Sequence, residues 1–271
     1  MMKPCFRFVV ILAVLLLLLS PLACQKSNDD DKSPNDPTLG GIDDDGGGGD
    51  DDDTAGDDDT AGDDDTGAGD LQVAYIFNSD VFVGTYQSLL ATYDIAVEAI
   101  REDNIQTASF DGFDAIIVES DTSWHDIDQY GRIYGLGIPV LGIYEGGGEL
   151  FGQIGKSSNW AGGIQEFDIS KGVVAMYLHE IFTTPNNLAV TQNEFIDVYV
   201  YGVRLNYHDF LVDPPGVEVP LERPSSAGYS AVTIEDASVV YWGYESDPTI
   251  FTQTGLKLFV NCLHYLSKQG G

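Results

Sequence analysis

Strand-like and helix-like runs alternate after residue 71, which predicts an α/β fold. The expected form is a three-layer sandwich on a mostly parallel sheet, with an irregular or antiparallel insertion. Three observations carry this prediction. Phe113–Val118 and Ile138–Ile143 are nearly continuous apolar runs, the pattern of strands buried on both faces. Between and after such runs, apolar residues recur at helical spacing. The chain then closes on strand-like Val239–Gly243 and on a helix with Leu256, Phe259, Val260, Leu263 and Leu266 along one face.

The first strand is Val73–Phe77, ending in Asn78-Ser79-Asp80. A helix follows over 84–92, with Tyr86, Leu89, Leu90 and Tyr93 at helical spacing. Ile95, Val97 and Ala99 alternate as a second strand, with a helix continuing to Arg101 as the alternative. Phe113–Val118 is the third strand, and His125–Tyr134 a short helix. Ile138–Ile143 is the fourth strand, running through Tyr144-Glu145-Gly146-Gly147-Gly148 into a helix near Glu149–Ile154. In 156–228, short β-type runs such as Asp197–Val203 sit among Gly, Pro and Asn and read as the insertion. Ser230–Ile234 and Val239–Gly243 restore the regular pattern.

The 271 residues hold 12 Lys+Arg against 44 Asp+Glu, a net charge of −32. A phosphate backbone needs a basic face, so nucleic acid is not an expected partner. The acid is unevenly spread. Residues 1–23 have Lys3 and Arg7 and no acid, followed by an unbroken apolar run, Phe8–Leu19. That is the form of a secretory signal peptide, too short for a comfortable membrane span. Pro21-Leu22-Ala23-Cys24 resembles the lipobox of bacterial lipoproteins, which implies lipid on Cys24 and a bacterial cell-envelope location. Cleavage near Ala23 as an ordinary signal peptide is the other reading. Residues 24–70 hold 18 Asp against Lys26 and Lys32, with Asp-Asp-Asp-Thr-Ala-Gly at 51–56 and again at 57–62. So little apolar surface and so much like charge predict an extended, disordered tether. Its Asp spacing does not match a calcium-binding EF-hand loop. Residues 71–271 form the folded domain, with 26 acids against 8 bases. Cys262, on the last helix among apolar residues, reads as a buried, inert thiol.

Three stretches of the domain resemble class I glutamine amidotransferase-like proteins. PVLGIYEGGGELFG (139–152) is similar to their strand–elbow–helix, and FDAIIVESDT (113–122) to their preceding central strand. ASVVYWGYESDP (237–248) with TGLKLFVNCLHYL (254–266) is similar to the closing strand and helix of the ThuA-like branch. The resemblance implies a flavodoxin-like sandwich. The family's chemistry needs a Cys at the elbow and a His after the last strand. The elbow position falls on Tyr144, and the His position on Tyr244-Glu245-Ser246. None of His125, His179, His208 and His264 stands there. His179 lies in LHEIFTTP, which looks like a structural turn that these families share. A phenol with an ordinary pKa of about 10 does not replace a thiolate, so thiol hydrolysis is not expected.

Open α/β sheets bind ligands outside the carboxyl ends of their strands. Those ends carry the candidate binding residues Asp80, Glu119, Asp121, Tyr144, Glu145, Gly146, Gly147 and Glu245, with Tyr244 nearby. Gly146-Gly147-Gly148 would offer backbone N–H groups at a helix start, which suits an anion, whereas the carboxylates suit a hard cation or a polyol. Asp80, Asp121 and Glu145 are candidate ligands for calcium or magnesium. The bland reading makes these acids a solvated rim, each capping a helix or facing water. Trp124 and Trp160 could be exposed and stack on a saccharide. The expected function is non-catalytic binding of a cation, saccharide or envelope protein. The alternatives are a carboxylate- or metal-dependent hydrolase with Glu145 as base, and a domain that only builds assemblies.

Overall fold

Val73-Ala74-Tyr75-Ile76-Phe77 extends because β-branched and aromatic side chains fit a pleated surface. In the computed structural model of the chain these residues belong to β1 (Leu71–Phe77). The structure describes residues 71–124, 126–210, 214–225, 228–245 and 247–270. The expected signal peptide, Cys24 and the acidic tether lie outside the described residues, as do His125 and Ser246. Among the described residues no helix is long and apolar enough to cross a membrane.

After β1 come α1 (Val83–Ala91), β2 (Ile95–Arg101), β3 (Ala115–Val118), α2 (Ile127–Gly135), β4 (Val140–Ile143) and α3 (Tyr144–Gln153). The insertion supplies β5 (Ile164–Ile169), β6 (Lys171–Val174), β7 (Phe195–Asp197), β8 (Val203–Asp209) and β9 (Val217–Glu222). The chain ends with β10 (Tyr229–Glu235), β11 (Val239–Trp242) and α4 (Gln253–Ser267). The sheet has 11 strands in the order β2-β1-β3-β4-β11-β10-β9-β6-β7, with β8 joining β10 to β5 beside that path. β2, β1, β3, β4 and β11 run parallel. Their order is the 2-1-3-4-5 order of flavodoxin-like sheets. The insertion and β10 form the antiparallel remainder.

Strand alternation divides the core between two faces. Val73, Tyr75 and Phe77 pack with Tyr86 and Leu90 of α1 and with Leu258, Phe259, Leu263 and Leu266 of α4. Ala74 and Ile76 pack on the other face with Ile133 of α2 and Leu150 and Phe151 of α3. The three layers follow directly. Asp126 begins α2 through a capping box with Gln129, so that helix starts two residues later than the sequence suggests.

Two further elements depart from expectation. Helix α3 begins at Tyr144 rather than near Glu149, because the three glycines let its first turn lie directly on the sheet. The run 197–203 is the joint between β7 and β8, not a strand. Val198 and Tyr199 both donate their backbone N–H to Ser170 O, at 2.8 and 3.0 Å, and the chain bends there.

Candidate functional site

The parallel register sets the strand ends level. Val118 lies opposite Gly142, and Gly142 opposite Tyr241. The residues just beyond β3, β4 and β11 therefore emerge along one sheet edge, where a cleft of about 610 Å³ opens. Ser79, Phe82, Glu119, Ser120, Asp121, Tyr144, Glu145, Arg204, Glu245 and Asp247 line it. Asp80 is exposed and is not part of this lining. Of the candidate ligands, Asp121 and Glu145 share the cleft and Asp80 does not. Among the described residues no three His, Cys, Asp or Glu side chains form a metal-holding group.

Most of the carboxylates hold neighbouring groups. Glu119 is buried, accepting from the Tyr75 hydroxyl through Oε2 and from Ser120 Oγ through Oε1 at 2.8 Å. Burial first, and then the Glu119 charge, push the Tyr75 phenol well above its ordinary value. Asp121 accepts the backbone N–H of Asn78 at 3.0 Å and of Ser79 at 2.6 Å, which ties the β1 exit to the β3 exit. Glu245 takes a bidentate bond from Arg204, with Nε at 2.9 Å. Asp247 accepts from Thr249 N at 3.1 Å. Glu145 is exposed and carries no such bond among the described residues.

Tyr144 stands at the elbow with φ +44°, a left-handed conformation that bulky residues rarely adopt. The turn from β4 into α3 is therefore sharp, and the side chain it carries is a phenol. The ring is 2% exposed, packed edge-on against Trp160 at 4.8 Å and beneath the Arg204 guanidinium at 5.5 Å. Burial pushes its pKa above the ordinary value, and Arg204 pulls the other way. Tyr144 thus stays protonated at neutral pH and cannot act as an anionic nucleophile.

The glycines do not form the open anion site that their sequence suggests. Gly146 N–H donates to Ser120 O at 3.0 Å. A Cβ on Gly146 would lie 2.1 Å from Glu119 O, and one on Gly147 2.2 Å from Gly142 C. Glycine here serves close backbone approach. Trp124 and Trp160 are half-buried with packing work of their own: Trp124 Nε1 donates to Gly146 O at 2.8 Å, and Trp160 braces Tyr144. Tyr244 is buried, its hydroxyl donating to Lys171 O at 2.8 Å. The exposed apolar side chains at this edge are Val81 (70%), Val200 (57%) and Tyr201 (69%). Val81 lines the cleft, and Tyr201 directly precedes the lining stretch Gly202-Val203-Arg204. Arg204 and Tyr201 had no motif to mark them. Only the bend after β7 and the alternation of β8 bring Arg204 to the strand ends, with exposed Tyr201 just before β8.

No Cys or His lines the cleft among the described residues. Cys262 is buried in α4, and burial raises its thiol pKa. His208 is buried, with Nε2 2.7 Å from Asn159 O, and burial lowers its pKa. Its folded value therefore lies below the unfolded value of about 6.5. The unfolded chain binds the proton more readily, so this contribution to stability is full above pH ~6.5 and is lost as pH falls through the folded value. Melting temperature is expected to drop between pH 7.5 and pH 5.5, and less steeply in His208→Gln. An identical slope in that variant would place the acid sensitivity elsewhere.

No protein-family model matches the chain, and no curated protein does. Among solved structures it is similar to PurLQS from Thermotoga maritima, with 16% identity over 73% of this chain and 99% of that chain, TM-score 0.49. A candidate GMP synthase component from Thermoplasma acidophilum shares 15% identity over 73% of this chain and 95% of that one, TM-score 0.48. A glutamine amidotransferase from Thermotoga maritima shares 9% identity over 73% and 99%, TM-score 0.45. At such identities the similarity concerns the path of the chain and not its chemistry.

Proposed function

We propose that the chain is a lipid-anchored cell-envelope protein whose amidotransferase-like domain is non-catalytic and binds a polyhydroxylated ligand, of the saccharide class, at the strand ends. The observation that carries this reading is Tyr144. It occupies the elbow in the left-handed turn, yet its ring is buried under Arg204, and its phenol is held protonated. The chemistry of the cleft supports the ligand class. Glu145 is exposed and can accept hydroxyl protons, the Arg204 guanidinium has donors beyond the two held by Glu245, and exposed Tyr201, next to the lining residue Gly202, offers an aromatic face for a sugar ring. A hard cation is less well served, because Glu119, Asp121, Glu245 and Asp247 already hold protein groups and, among the described residues, no three acidic side chains group together to share an ion.

A thermal melt of the full chain with mono- and oligosaccharides, calcium, magnesium and EDTA tests this reading. A saccharide at a hundred times its dissociation constant stabilises by about 2.7 kcal/mol. In a domain of this size that is a shift of roughly 5–11 °C, which Glu145→Gln and Tyr201→Ala should each reduce. Glutamine should yield no ammonia above background. Ammonia release that disappears in a Tyr144 variant would overturn the non-catalytic reading. A calcium shift in place of a saccharide shift would overturn the ligand class.

A further inference from the structure

Among the described residues, six buried side-chain N and O atoms have no hydrogen-bond partner: Arg132 Nε, Tyr144 OH, Asn206 Nδ2 and Oδ1, His208 Nδ1 and Tyr241 OH. All but the first belong to one seam. Along β8, period-two alternation puts Arg204, Asn206 and His208 on the same face. Arg204 covers the Tyr144 ring at 5.5 Å, and His208 meets the Tyr241 ring edge-on at 5.2 Å. Between them the Asn206 amide fills the space beside Gly163, where a Cβ would lie 1.7 Å from Oδ1. His208 Nε2 reaches Asn159 O, and Trp160 braces Tyr144, so the stretch 159–163 forms the opposite wall. The side chains are almost wholly enclosed: Tyr144 and His208 are 2% exposed, Asn206 and Tyr241 0%.

The chemistry of the seam selects its occupant. Asn159 O can only accept, so His208 Nε2 carries the proton and Nδ1 of the neutral ring is a bare acceptor. The amide and the two phenols each donate and accept. These groups are neutral, which argues against a buried ion. Buried polar groups in folded proteins are bonded to protein or to ordered water, and an internal water typically makes about three such bonds. We propose that the seam between β8 and the stretch 144–163 is an internal binding site for a cluster of at least two ordered water molecules, which bridge Tyr144, Asn206, His208 and Tyr241. Because Tyr144 also lines the cleft, these waters anchor the elbow to the antiparallel half of the sheet.

Tyr241→Phe and Tyr144→Phe in the full chain test the proposal, since each removes one oxygen and leaves the shape unchanged. A hydrated seam predicts that each lowers the melting temperature by roughly 2–4 °C. The double variant should lose less than the sum, because both hydroxyls serve one network. Neutral or raised melting temperatures would overturn the proposal, since removing a dry, unpaired buried hydroxyl costs nothing or stabilises. Strictly additive losses would separate the two hydroxyls and overturn the shared site. A crystal structure should show each water within hydrogen-bond distance of at least two of the four side chains. Direct bonds among those side chains in its place would also overturn the proposal.

Discussion

Gly147→Ala is expected to cost more than about 3 kcal/mol, above the usual 1–3 kcal/mol of overpacking. The added Cβ would lie 2.2 Å from Gly142 C and 2.3 Å from Gly142 Cα. These are backbone atoms of β4, and no rotamer change moves them. Relief requires lifting α3 off the strand, and Phe151, which packs over Gly142, would move with it. The elbow at Tyr144 is the first residue of that helix, so its turn would be lost along with the packing. In a domain of this size the loss corresponds to a melting temperature lower by at least roughly 6 °C. Gly84→Ala in α1 is the control. Nothing lies within 4 Å of its added Cβ, and alanine favours a helix by up to about 1 kcal/mol. Denaturant melts of the two variants side by side decide the matter. If both behave alike, close approach of α3 to β4 is not what holds the elbow.

Asn261→Leu is expected to cost about 3 kcal/mol, or roughly 6–12 °C in melting temperature. Asn261 is wholly buried in α4. Its Oδ1 accepts from Asn186 N at 3.0 Å and from Asn186 Nδ2 at 2.9 Å. Its Nδ2 donates to Ile181 O and Asn186 O, both at 2.8 Å. Leucine has the same branched skeleton, though bulkier, and it strands backbone groups of the 181–186 turn away from water. Hydrogen exchange should then quicken around 180–190 while β1 and β3 stay protected, because the four bonds of this side chain hold the 181–186 turn against α4. Exchange that quickens uniformly would mean that insertion and parallel core unfold as one unit.

Much of the cleft is legible in the sequence. Glu119, Asp121, Tyr144, Glu145 and Glu245 each follow an apolar run, and a parallel sheet sends such positions to one edge. Asp80 reads equally well by that rule yet is exposed outside the lining, although its neighbours Ser79 and Val81 belong to it, so strand-end position alone does not decide which side chain faces the cleft. The glycine run reads as a source of open N–H groups. Whether an N–H is open depends on what packs against it, and Ser120 O fills that place for Gly146. Trp124 and Trp160 are candidates for a sugar face as loop residues, but both are held against the elbow region, whereas Tyr201, next to the lining residue Gly202, is exposed.

By itself the sequence determined the α/β class, the parallel core and its two packed faces. These follow from local periodicity and from continuous apolar runs, which any chain must bury in much the same way. It also determined that the residue directly after the fourth apolar run is a tyrosine, since residue identity is independent of conformation. Only the tertiary structure decided that the elbow turn is kept at Tyr144, that Arg204 is clamped by Glu245 above it, and that the strand-end acids hold backbone and hydroxyl groups. It also decided that β8 lays Asn206 and His208 against Tyr241 and the stretch 159–163. Most of these pairings join residues more than 30 positions apart, or depend on one backbone dihedral. Periodicity carries no information about either, because contacts between distant segments are set by how the elements pack.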